Sequence, residues 1–259
     1  MSGLFFRKKN IFHHPPEEEQ SFELTAEEII PAQKKDLDPK VLANADSFIK
    51  KAAIFADRGD LQGAEKFLIQ TLALDPSSIE AYKRLGLLYL TQGQFSKAES
   101  IYRKLVATIT DDPIFFSNLG MALFSQQKME EAKTYYKKAI ELDSERPGRF
   151  FSLAQILFEL EEFDEALKNF QQAITMEPGN LDYLLTLAHF YIDRDMPHEG
   201  RQLLGEIMIS FPNSEDAKEM LDQLAKESLE EAPAKGEPAE DSSKEEKSTD
   251  RNPDGESSK

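Results

Sequence analysis

The feature that most constrains this chain is an internal repeat with a step of 34 residues. Leu85-Gly86, Leu119-Gly120, Leu153-Ala154 and Leu187-Ala188 lie one step apart, and Lys51-Ala52 sits one step earlier. A repeat of this length is one supersecondary unit that cannot bury its apolar face alone, so successive units must stack. The register divides the middle of the chain, without a gap, into five units: 45–78, 79–112, 113–146, 147–180 and 181–214.

Within each unit the fourth position is large and apolar (Phe48, Tyr82, Phe116, Phe150, Leu184), as is the eleventh (Phe55, Tyr89, Leu123, Leu157, Tyr191). With the eighth they form a stripe at helical spacing. A second amphipathic helix follows from Ala64, Ala98, Ala132, Ala166 and Gly200 at position twenty and Leu68, Tyr102, Tyr136, Phe170 and Leu204 at twenty-four. Small residues at eight and twenty let the two helices approach while the bulky ones fill the space around them. Breaks fall where a hairpin needs them, at Gly59-Asp60 and Gly93-Gln94 inside units and at Pro76, Pro178 and Pro212 after the second helix.

Small residues at eight, twenty and often twenty-seven, bulky ones at four, eleven and twenty-four, and Pro at thirty-two resemble the tetratricopeptide repeat. The likeness covers about two-thirds of the chain. Departures are Leu105 and Ile207 for a small residue at twenty-seven, Thr71 as an intermediate there, Thr110 and Ser144 for Pro at thirty-two, and Lys51 at an apolar position. The resemblance implies an all-α fold, a right-handed superhelical solenoid of five helix-turn-helix repeats, whose expected role is to hold another polypeptide in its concave groove.

The solenoid is expected to extend beyond the repeat frame at both ends, giving a domain over 39–229. Asp38-Pro39 supplies an N-cap followed by a residue favoured at the first helical position, so the first helix starts before Ala45. Beyond Pro212, residues 214–229 place Ala217, Leu221, Leu224 and Ala225 on one face with charges opposite, the pattern of a capping helix. Residues 1–38 read as a linker with a basic-aromatic tip, a Glu17-Glu18-Glu19 run and a short capping-box signal at Thr25–Glu28. From 230 to 259 only Ala and Pro supply apolar content, so an acidic, disordered tail is expected.

Charge narrows the partners. With 48 acidic against 31 basic residues and a net charge of -17, nucleic acid is not an expected ligand, since binding it rests on Lys and Arg neutralising phosphates. The N-terminal apolar run is interrupted too early for a signal peptide, and no uncharged apolar run approaches the ~20 residues of a membrane span. Location in the cytoplasm is the default expectation. Cysteine is absent, which excludes thiolate chemistry. There is no glycine-rich phosphate loop, and the four histidines make no metal-ligand spacing with the carboxylates. Adjacent His13 and His14 read as part of a flexible polar tip. No cofactor, no metal and no enzymatic activity are expected.

The resemblance implies that positions two, five, six, nine, twelve and thirteen of each first helix line the groove. They are Lys83, Arg84, Leu87 and Leu90 in the second unit and Asn118, Met121 and Phe124 in the third. The fourth supplies Phe151, Gln155 and Phe158, and the fifth Leu185, His189 and Ile192. An apolar, aromatic groove suits a peptide with aliphatic or aromatic anchors. The bland alternative is that residues at five and twelve simply pack helices together, and His189 reads more readily as packing than as a switch. Family members that clamp a chaperone's C-terminal carboxylate use Lys, Asn and Arg at set positions. Here only Lys83 and Asn118 fit, while Leu87, Gly148 and Ser152 stand elsewhere.

Two further readings concern Phe5, Phe6, Ile11 and Phe12 with Arg7, Lys8 and Lys9. This tip could dock on an anionic membrane surface, making the chain a peripheral adaptor, although one basic cluster is a single signal where stable anchoring needs two. Alternatively residues 1–14 could fold back into the chain's own groove, favoured by tethering.

Overall fold

A computed structural model describes residues 38–230. The basic-aromatic tip, the linker before Asp38 and the tail after Glu230 lie outside the described residues. Those described form eleven helices: α1 (Pro39–Asp57), α2 (Leu61–Leu74), α3 (Ile79–Thr91), α4 (Phe95–Thr108), α5 (Pro113–Ser125), α6 (Met129–Leu142), α7 (Pro147–Glu159), α8 (Phe163–Met176), α9 (Leu181–Asp193), α10 (Pro197–Ser210) and α11 (Glu215–Glu230). The first ten pair as hairpins, α1 with α2 through α9 with α10, and each second helix packs on the first helix of the next pair. Ile79, Pro113, Pro147 and Leu181 start α3, α5, α7 and α9, each at the first position of a 34-residue unit.

The early start of α1 has the expected cause. The Asp38 carboxylate accepts from the Lys40 amide at 2.8 Å, and Pro39 opens the helix, where its missing N–H costs no hydrogen bond. At the other end Ser214 caps α11, its Oγ accepting from the Ala217 amide at 3.3 Å. The face α11 buries is Ala217, Met220 and Leu224, with Leu221 at its edge and Ala225 exposed. That stripe at i, i+3 and i+7 differs from the expected one, and it packs into one cluster with Leu185 and Ala188 of α9 and Leu204 and Ile207 of α10.

Every hairpin turns in the same way. The position-sixteen amide donates to the position-eleven carbonyl: Asp60 to Phe55, Gln94 to Tyr89, Lys128 to Leu123, Glu162 to Leu157 and Met196 to Tyr191, at 2.8–3.0 Å. This closure forces position fifteen into the left-handed region, with φ of 78° at Gly59, 72° at Gly93, 61° at Gln127, 61° at Glu161 and 57° at Asp195. Three units therefore place a side chain where glycine fits best. Gln127→Gly and Glu161→Gly are each expected to raise stability by roughly 0.5–1 kcal/mol, the relief of left-handed strain less the extra freedom glycine has when unfolded. Urea denaturation measures this, and an unchanged or lower midpoint would refute it.

Inside the solenoid, positions eight and twenty are buried and small, as the sequence requires. A Cβ added to Gly86 would lie 2.9 Å from the Tyr102 ring, and one added to Gly120 would lie 2.7 Å from the Tyr136 ring. Where position twenty-four is Leu or Phe instead, position eight is Ala. Leu105 and Ile207, the large residues at twenty-seven, are buried without displacing the pattern, and Lys51 lies over the rings of Phe48 and Phe67 at 5.4 and 5.6 Å. The core divides into a long cluster running from α1 to α9 and a smaller one around Leu185, Ala188, Leu204, Ile207 and Met220.

Candidate peptide-docking groove

The structure separates the thirteen candidate groove residues into two sets. At positions five and twelve, packing wins. Leu90 and Leu185, only 6% and 9% exposed, belong to the core and offer no surface to a ligand. Phe151 is half-buried, its ring stacked on Tyr183 at 4.4 Å and edge-on to Phe170 at 5.7 Å. Phe158 meets Phe163 and Phe190 edge-on at 5.7 and 5.6 Å, and Phe124 packs against the same core. These side chains join one unit to the next. The expected aromatic centre of the groove is thus largely consumed by the fold.

Lys83 at position five and the residues at positions six and nine differ. Lys83, Arg84, Leu87 and Met121 are exposed, Leu87 at 54% and Met121 at 44%. Farther along, Gln155, His189 and Ile192 are half-buried. Asn118 is committed elsewhere: its amide donates to the Tyr102 hydroxyl at 2.9 Å, as Ser152 hydrogen-bonds that of Tyr136 one unit later. Burial pushes the Tyr102 phenol up to about 12, against the lowering effect of that Asn118 bond, so the pair is a structural contact between units. Of the carboxylate-clamp positions this leaves Lys83 alone, and Arg84 is neutralised by Glu80 at 2.6 Å.

A recess opens between α1 and α3, where the candidates Arg84 and Leu87 meet α1 residues that the sequence reading did not single out. It measures about 260 Å³ and lies between Ala52, Ala53 and Ala56 of α1 and Arg84, Leu87, Leu88 and Thr91 of α3, with Leu61, Ala64 and Leu68 of α2 beneath. It exists because the first unit carries Ala53 and Ala56 at positions nine and twelve, where the next two carry Leu87, Leu90, Met121 and Phe124. That contrast is the signal from which it could have been found. Its lining is almost wholly apolar, so it excludes charge and suits an aliphatic or aromatic side chain.

Charged groups elsewhere serve the scaffold. On the second helices Glu99 is nearly buried, which opposes its ionisation. Hydrogen bonds from Lys128, Arg103 and Gln126, each 2.8 Å, outweigh burial and hold the carboxyl below its usual range. Arg103 also pairs with Glu131, and Lys133 and Lys137 reach Glu162 and Glu165 at 2.7 and 3.2 Å. Buried Arg149 of α7 binds Asp143 at 2.7 Å, fixing the α6–α7 connection. Asp193, the last residue of α9, is pushed up to about 6 by burial. Among the described residues no group of three His, Cys, Asp or Glu side chains could hold a metal ion. No helix there is long and apolar enough to cross a membrane.

Stacked helix-turn-helix units, each second helix packed on the next pair, with an open apolar recess define an α-solenoid, a class that works by presenting a surface. The chain belongs to the tetratricopeptide repeat family: one model of that repeat matches residues 55–117 and 157–224, and a second matches 113–177. Solved structures agree on the fold. MamA is 20% identical with a TM-score of 0.59, over 71% of this chain and 94% of that one. YrrB, described as a TPR protein with an unusual peptide-binding site, is 22% identical with a TM-score of 0.60, over 70% and 92%. A tetratricopeptide repeat protein from Parabacteroides merdae is 18% identical with a TM-score of 0.65, over 72% and 74%. A search of curated proteins finds no significant match. The fold is that of a protein–protein interaction scaffold.

Proposed function

We propose that this scaffold is non-enzymatic and binds an extended or helical peptide segment through apolar anchors, one of them in the recess between α1 and α3. The observation carrying this reading is the recess itself, continued along the groove by exposed Leu87 and Met121. YrrB, a protein of similar fold, is described by its peptide-binding site, which is consistent with it. Each buried anchor contributes roughly 1.5–3 kcal/mol, and several are needed because association itself costs several kcal/mol.

The test must spare the fold. Glutamate at Phe158 would place a charge among packed rings and at Phe124 against the core, so lost binding there would report unfolding instead of a missing contact. Leu87→Glu and Met121→Glu alter side chains that already face solvent. Each is expected to lower the affinity of captured partners by about tenfold, the loss of one apolar anchor, with thermal stability unchanged. Affinity capture with mass spectrometry against wild type, followed by titration of what is captured, gives the readout. Equal capture by the double variant would remove the groove as the binding site.

A further inference from the structure

The chain carries its own candidate for the recess. We propose that the N-terminal tip docks there in cis, Phe5 and Phe6 occupying the space beside Ala53, Ala56 and Leu87, in competition with any apolar segment of a partner. This rests on the reading of the groove as a peptide site and names its regulator.

Size and composition select the segment. A recess of about 260 Å³ accepts one or two large apolar side chains and offers them alanine walls. Beyond Glu230 the chain has nothing larger than Ala and Pro among its apolar residues, whereas the tip has Leu4, Phe5, Phe6, Ile11 and Phe12 within nine positions.

Reach agrees. Ala52 to Ala56 lie about 20–26 Å along α1 from Pro39, at 1.5 Å per residue. At ~3.3 Å per residue the 32 residues from Arg7 to Asp38 have more than enough contour to bridge that gap. Tethering makes the docking intramolecular, so even a weak two-Phe contact gains from a raised effective concentration.

Charge supplies orientation without specificity. Arg7, Lys8 and Lys9 follow the two phenylalanines directly, and residues 38–230 hold 32 acidic side chains against 21 basic. Asp57, one residue beyond Ala56, is exposed at the end of α1. The basic run is therefore attracted to the body as a whole, more strongly at low salt, while the apolar pair fixes the position.

Because the chain has no cysteine, two can be introduced without background. Nitroxide labels on Ser2→Cys and exposed Lys83→Cys in the full chain should give a short-distance population by double electron–electron resonance. That population is expected to vanish with Phe5→Ser/Phe6→Ser, with Ala53→Phe, which fills the recess, and with Leu87→Glu, which keeps its volume but makes it polar. Phe22→Ser should leave it intact. A synthetic peptide of residues 1–14 should bind the Phe5→Ser/Phe6→Ser chain about tenfold more tightly than wild type, since the occupied state no longer competes. A broad distribution untouched by these variants overturns the proposal, as does a short distance that survives both recess variants. Loss of the short distance on dilution with unlabelled chain would place the tip on a second copy and overturn docking in cis. If docking fails while Leu87→Glu still weakens capture of partners, the groove reading stands alone. If docking holds and no partner depends on Leu87, it is that reading that falls.

Discussion

Phe170→Ala is expected to destabilise the solenoid by about 3–5 kcal/mol, the range for removing a large aromatic side chain from a rigid core. Phe170 of α8 is fully buried, and its ring meets Phe151 of α7 and Phe190 of α9 edge-on, both at 5.7 Å. Phe190 continues to Phe158 and Phe151 to Tyr183, so one aromatic chain joins three helices across two units. A void here cannot be filled locally, because Ala154 and Ala166 beside it are small and buried themselves. Stability in a repeat array is a sum of unit and neighbour terms, so the damage should uncouple α9–α11 from the units before them. Urea denaturation should shift from a single transition to two, with amide hydrogen exchange accelerated first in α8–α11. A loss below 1 kcal/mol with a single transition would contradict this account.

The same aromatic chain shows where sequence reasoning reaches its limit. The 34-residue step places Phe170 at position twenty-four and marks it as core, because contacts within a hairpin repeat identically in every unit. Phe151 is harder. Its position on α7 puts it on the expected groove face, and the edge contact with Phe170 of its own unit together with the stacking of Tyr183 from the next assigns it to packing. Leu90 and Leu185 are alike in this: a helical wheel records the direction a side chain takes, not what the following unit puts in front of it. Turns behave similarly. Gly59 and Gly93 announce a left-handed residue, whereas Gln127, Glu161 and Asp195 share the geometry with no compositional sign of it, and alignment to the glycines is what would find them. The recess between α1 and α3 is least legible, since it results from alanines where larger residues recur in the next units, and a small residue on a helix face does not by itself announce a cavity.

Asp193→Asn is expected to stabilise the protein at pH 8 by about 1–3 kcal/mol, with the gain fading as the pH is lowered. Asp193 ends α9, where the helix dipole adds its own repulsion to the burial that pushes the carboxyl up to about 6 from an ordinary 3.8. Between those two values the folded chain keeps a proton that the unfolded chain has released, so folding is favoured more as the pH falls through the window. Above about 6 both states are ionised and the folded state bears the whole cost of a half-buried charge. Below about 3.8 both are protonated and the cost is gone. Asparagine keeps the shape and removes the charge, so wild type and variant should differ most above pH 6 and converge near pH 4. The opposite slope comes from Glu99, whose depressed pKa adds stability that is lost only at still lower pH, and subtracting the two unfolding curves cancels that contribution. A pH-independent difference, or a variant less stable at pH 8, would mean that Asp193 is solvated in the folded protein. The residue sits at position thirteen of the last groove helix, so a ligand that covers it in its ionised form would meet the same cost. Partners that engage this end of the groove should therefore bind more tightly at pH 5.5 than at pH 8 in wild type, and equally at both in Asp193→Asn.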